Sequence, residues 1–210
     1  MTYIIVQAGS QLRNTLKLIS GLSLLLSIAI IQPASAAPMT NNVKPSINAV
    51  FTSQMNDVWN AISTDSTNEA LKNFFPSAAY IQMKQGVLPN PAADFSARLL
   101  GFFKLDLFAY HQFVISGGPS KFTAVRVNPA QISWISPGVC ENKIGYWHLG
   151  PVRIIYEQGG VAKSFAIASL ISWNGVWKII HLGPNPRAKN IGTVDSPALG
   201  PGISGPGGGC

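Results

Sequence analysis

Asp106 and Tyr110 stand four positions apart in a stretch that is otherwise apolar. Stepping 100° per residue from Phe95 puts Phe95, Leu99, Phe102, Phe103, Leu107, Ala109, Phe113 and Val114 on one broad arc. Asp106 lands at ~20° and Tyr110 at ~60°, inside that arc, while Lys104, His111 and Gln112 fall outside it. A carboxylate in apolar surroundings pays a heavy desolvation penalty unless it is paired. Such a group either meets a cation or holds a proton for chemistry.

The strands that follow suggest what it meets. Trp173-Asn174-Gly175-Val176 is a two-residue hairpin sequence, since Asn and Gly accept the positive φ of a type I′ turn, and Gln158-Gly159-Gly160-Val161 offers the same geometry. These loops place Trp177 opposite Ser172, His181 opposite Ala168 and Arg153 opposite Ala166. Arg153, Ser164, Ala166, Ala168, Trp177 and His181 are thus expected on one sheet face, across a cavity from Asp106 and Tyr110. One arrangement makes Asp106 a base of raised pKa, with Tyr110 or His181 donating to a developing oxyanion. In a second, Arg153, Trp177, Tyr110 and His181 line a site for a small apolar or anionic ligand. In a third, Asp106 and Arg153 form a buried ion pair that fastens helix to sheet. A one-residue slip would carry the whole set to the other face.

Helical spacing runs through Ile47, Val50, Phe51, Met55, Val58, Trp59 and Ile62, with Pro45 expected in the first turn. Ser66 to Glu69 reads as a capping box for a short second helix ended by Pro76. Residues 80–86 fit either a strand or a helical turn. Asn90-Pro91 opens a long third helix to about Val114. Strands are expected at 122–127, 131–135, 144–157, 161–173 and 176–182. The opposite sheet face, with Phe165, Ile167, Ile171, Trp173, Val176 and Ile180, is apolar enough to predict a homodimer through the outer face, or cover by the tail.

Residues 1–36 read as a signal peptide: Arg13 and Lys17, the apolar run 18–31, then Ala34-Ser35-Ala36. That run has 14 residues, short of the ~20 a membrane span needs, so no stable membrane anchor is expected after cleavage. A polar lead-in (37–44), a domain (45–183) and a Gly/Pro-rich tail (184–210) follow. The tail's composition predicts no share in a core. The formal charge of +7 is scattered, with no basic run to track phosphates, so no nucleic-acid partner is expected. It suits an anionic cell envelope or simply a solvated surface. Cys140 and Cys210 are expected to pair outside the cytosol, closing a loop worth about 4 kcal/mol in the chain-entropy view. His111, His148 and His181 lack metal-ligand spacing, and no cofactor motif occurs.

Helices first and an antiparallel meander last give an α+β fold. In this order of elements, over Pro45–Leu182, the chain resembles the NTF2-like superfamily. Its segment SLISWNGVWKIIHLG, 169–183, is similar to the last hairpin of uncharacterised exported actinobacterial proteins of that type. The resemblance implies a curved antiparallel sheet wrapped round the third helix as a cone. It also implies pairing through sheets in some members, and acid/base groups in an apolar cone in the isomerases and dehydratases of the superfamily. The expected function is a secreted domain binding a small apolar or carboxylated ligand or a protein partner, without chemistry. The alternatives are an isomerase- or dehydratase-type enzyme using Asp106, Tyr110 and His181, and an envelope-associated structural protein.

Overall fold

The computed structural model describes residues 41–205. The expected signal peptide and Cys210, and with it the Cys140–Cys210 pairing, lie outside the described residues. The fold is α+β, with helices followed by two antiparallel sheets.

Helix α1 (Ala49–Ser63) is capped by Asn48, whose side chain accepts from the N–H groups of Val50 and Phe51. Pro45 therefore precedes the helix and does not occupy its first turn. Phe51, Met55, Val58, Trp59 and Ile62 form its buried stripe, whereas Ile47 and Val50 are exposed. Helix α2 (Thr67–Asn73) begins after Ser66, although that hydroxyl makes no capping bond. Of the ambiguous 80–86 segment, residues 80–84 belong to helix α3 (Ser77–Lys84), and Gln85 and Gly86 lie beyond its end. Asn90 caps α4 (Pro91–Asp94) by accepting from the Ala93 N–H. A π turn (Phe95–Leu99) then carries the chain into α5 (Leu100–Ile115), making one helical run from 91 to 115. None of these helices is long and apolar enough to cross a membrane.

The first sheet has the order β1 (Ser120–Arg126), β4 (Val152–Gln158), β5 (Val161–Ile167), β8 (Asp195–Leu199). The second runs β2 (Ile132–Ile135), β3 (Tyr146–Leu149), β6 (Ser169–Trp173), β7 (Val176–His181). The two long strands expected at 144–157 and 161–173 each break, at Gly150-Pro151 and at Ala168. Pro151 has no N–H to offer a ladder. Gly150 lies so close to the Ala168 carbonyl that a Cβ there would collide with it. A bent hairpin thus contributes one half to each sheet.

Both hairpin turns form as expected, with Asn174, Gly175, Gly159 and Gly160 all at positive φ. Arg153 pairs with Ala166 and Trp177 with Ser172. His181 pairs with Ser169 and not Ala168, because a bulge between Ser169 and Leu170 shifts the register. Strand β8 arises from the tail, whose composition predicts no share in a core, and it adds to the edge of β5 with Pro197 at the edge position a proline tolerates.

The face assignment for the first sheet is inverted. Phe165 packs on Trp59, Tyr110 and Tyr156, so the bulky residues face the helices. Arg153 and Ser164 turn the other way, where the tail covers them. In the second sheet Trp173 is buried edge-on against Phe75. Of the apolar set that suggested a dimer, Phe165, Ile167, Ile171 and Trp173 are covered within the chain.

Candidate functional site

Asp106 on α5 is 1% exposed, yet its cation is not Arg153. Arg187, from the tail, donates to Oδ2. The Gly183 N–H reaches the same oxygen at 3.0 Å, and the Thr193 N–H reaches Oδ1 at 3.1 Å. Arg187 also donates to the Ile191 carbonyl at 2.6 Å and lies over the Phe102 ring. Burial pushes the Asp106 carboxyl up, against the pull of Arg187 and the two amides. Both oxygens are engaged, and the side chain lines neither the cleft nor the smaller cavity described below. This is a clasp between helix and tail, with no lone pair aimed at a substrate.

Tyr110 completes the clasp. Its hydroxyl accepts from the Asp195 N–H at 2.9 Å and donates to the Ala166 carbonyl at 2.6 Å, with the Leu182 carbonyl 2.9 Å away. Helix α5 is thereby tied to the point where the bent hairpin passes between sheets. Gly183 is required here: a Cβ would meet the Asp106 carboxylate at 2.8 Å and come closer still to the Thr193 carbonyl. Gly183→Ala is therefore expected to lose about 1–3 kcal/mol by overpacking, seen as a lower urea midpoint at unchanged slope.

The other expected site residues are dispersed. Trp177 is buried against the core; its carbonyl accepts from Gln54 at 2.7 Å, while its indole N–H has no partner among the described residues. Arg153 lies on the outward face of the first sheet. Among the expected set, only His181 opens onto the larger cavity.

That cavity is a cleft of about 620 Å³ between α3, the start of the helical run and the second sheet. Phe75, Met83, Leu99, Ile171 and Ile180 form its apolar walls. On the sheet side stand His148, Ser169 and His181, with His148 Nε2 and Ser169 Oγ 2.8 Å apart. On the helix side Tyr80 donates to the Asp94 carboxylate. Arg98 grips the same carboxylate through Nε (2.8 Å) and Nη2 (2.6 Å), and its Nη2 also reaches the Tyr80 hydroxyl at 2.8 Å. Arg98 holds Asp94 below the usual carboxylate range, while burial and Asp94 push Tyr80 up. Burial, reinforced by Arg98, Arg187 and His148, pushes His181 down to about 4. Burial also lowers His148.

Near neutral pH the cleft therefore offers two uncharged imidazoles, a protonated phenol and the Arg98–Asp94 ion pair above apolar walls, with Lys84 and Glu141 also on its lining. Ser169 and His148 have the distance of a nucleophile–base pair, but among the described residues no hydrogen bond from a third group orients the imidazole. No cluster of three or more His, Cys, Asp or Glu suited to a metal occurs among the described residues. Reasoning from sequence missed Tyr80, Asp94, Arg98 and His148. The i, i+4 spacing of Asp94 and Arg98 on a helix was the available signal. No family model, curated protein or solved structure matches the chain.

Proposed function

We propose that this protein is an exported, NTF2-like binding domain whose cleft takes a small molecule with an apolar body and a carboxylate, without transforming it. The observation that carries this reading is the cleft itself: apolar walls with polar groups converging from the helix side and the sheet side, the usual make-up of a small-ligand site. The apolar body packs against Phe75, Met83 and Ile171. The carboxylate faces Arg98 and His181. A catalytic use of Asp106 draws no support from a carboxylate whose two oxygens are already taken by Arg187, Gly183 and Thr193. Export is supported by the leader pattern at 13–36, and the NTF2-like reading by the order of elements and the bent hairpin.

The test is a calorimetric titration of the protein with hydrocinnamate and with its uncharged amide. Arg98→Gln is expected to weaken the acid about tenfold or more, the loss of one charged hydrogen bond, and to spare the amide. Ile180→Trp, which fills the cleft, abolishes both. Absence of binding by either compound contradicts the proposal.

A further inference from the structure

A second cavity, of about 330 Å³, opens on the outward face of the first sheet, between the end of β1, the turn leading to β2 and the tail at 202–204. Two guanidiniums line it, Arg126 and Arg153. Neither makes an ion pair among the described residues. Arg153 is 1% exposed, and its partners are all neutral. It donates to the carbonyls of Pro201 (3.1 Å), Ile203 (3.3 Å) and Ser196 (2.9 Å) and to the Ser164 hydroxyl (2.6 Å). Those four bonds leave one Nη1 proton uncommitted. Among the described residues Arg126 reaches only the Gly202 carbonyl, at 3.5 Å. Burial weighs against the charged Arg153, Asp195 favours it from beyond ion-pair distance and Arg126 opposes it; a buried cation left without a direct ion pair is costly.

The same cavity holds two buried oxygens with no hydrogen-bond partner among the described residues, Gln131 Oε1 and Ser204 Oγ. The Gln131 amide cannot turn to hide the defect, because its Nε2 donates to the Gly205 carbonyl at 2.9 Å. Oε1 therefore needs a donor from whatever fills the space. The cavity thus asks for two things at once: acceptor oxygens with negative charge for the guanidiniums, and an O–H for Gln131.

We propose that this cavity binds an oxyanion that also carries a hydroxyl, the chemistry shared by hydrogen phosphate and by small hydroxycarboxylates. The anion bridges Arg126 and Arg153, and its hydroxyl donates to Gln131 Oε1. Ser204 closes over it from the tail, so occupancy also fixes the tail on the sheet.

The test titrates the protein calorimetrically at neutral pH with four probes at equal ionic strength: phosphate against sulfate, which has no hydroxyl, and glycolate against acetate. Phosphate is expected to bind at least tenfold tighter than sulfate, or glycolate than acetate, and the pair that discriminates identifies the source of the oxyanion. Arg126 is exposed on the first sheet, so Arg126→Gln folds, and it weakens the preferred anion about tenfold or more. Lys121→Gln, an exposed change at the opposite end of β1, leaves that affinity unchanged. Equal responses to all four anions, no response to any, or indifference to Arg126→Gln would overturn the proposal.

Discussion

Asp106→Asn lowers folding stability by about 3–5 kcal/mol, the range for breaking a buried ion pair from one side. The Arg187 and Asp106 side chains are 4% and 2% exposed, so the orphaned guanidinium has little water to turn to. An amide also has one acceptor oxygen where the carboxylate has two, so the N–H of either Gly183 or Thr193 loses its partner. Arg187→Met is expected to destabilise as well, by leaving the carboxylate with two amides and no cation. The double change should recover part of the sum, since residues in one network are not additive. Urea unfolding of the four proteins measures this. Hydrogen exchange should locate the damage at the Thr193 and Asp195 amides, which the clasp holds. A catalytic base would behave differently, with Asp106→Asn leaving stability intact.

Acidification from pH 6.5 to 4 removes about 3 kcal/mol of stability through His181 alone. The imidazole titrates near 6.5 when unfolded and at about 4 in the fold. Between those values the unfolded chain binds the extra proton, so stability rises with pH across this window and is lost as pH falls through it. His148 is shifted in the same direction by burial and adds to the slope. His181→Gln should flatten the dependence between pH 4 and 6.5. Urea midpoints measured across that range, with and without the substitution, give the comparison. An unchanged slope would mean that His181 is hydrated in the folded protein.

Local signals were legible in the sequence where one element decides the outcome. Asn174-Gly175 and Gly159-Gly160 fix their turns within four residues, so the Arg153–Ala166 and Trp177–Ser172 pairs could be read directly. The helical wheel places Asp106 and Tyr110 inside, because the face of α5 that carries them is covered along its length, by Phe74 at Phe103, by the tail at Asp106 and by Phe165 at Tyr110. What escaped depends on distant segments. Strand parity carries a face assignment only while the strand is unbroken. The breaks at Gly150-Pro151 and Ala168, with the bulge after Ser169, uncoupled His181 and Trp177 from Arg153. The partner of Asp106 lay 81 residues away, in a segment whose composition argued against burial. The need of a buried carboxylate for a cation did point outward, and Arg187 is the one arginine after the last expected strand. The cleft is assembled from several discontinuous segments, so no single stretch announces it.

The histidine ring resonances, followed by NMR while hydrocinnamate is added, test the central claim most directly. His148 and His181 line the cleft, whereas His111 lies outside it with its Nδ1 2.9 Å from the Ile62 carbonyl. The His148 and His181 signals are expected to move together and saturably, with their pKa values rising as a carboxylate settles beside them, while His111 stays still. Binding that leaves both cleft histidines unmoved, or that shifts all three alike, contradicts the account.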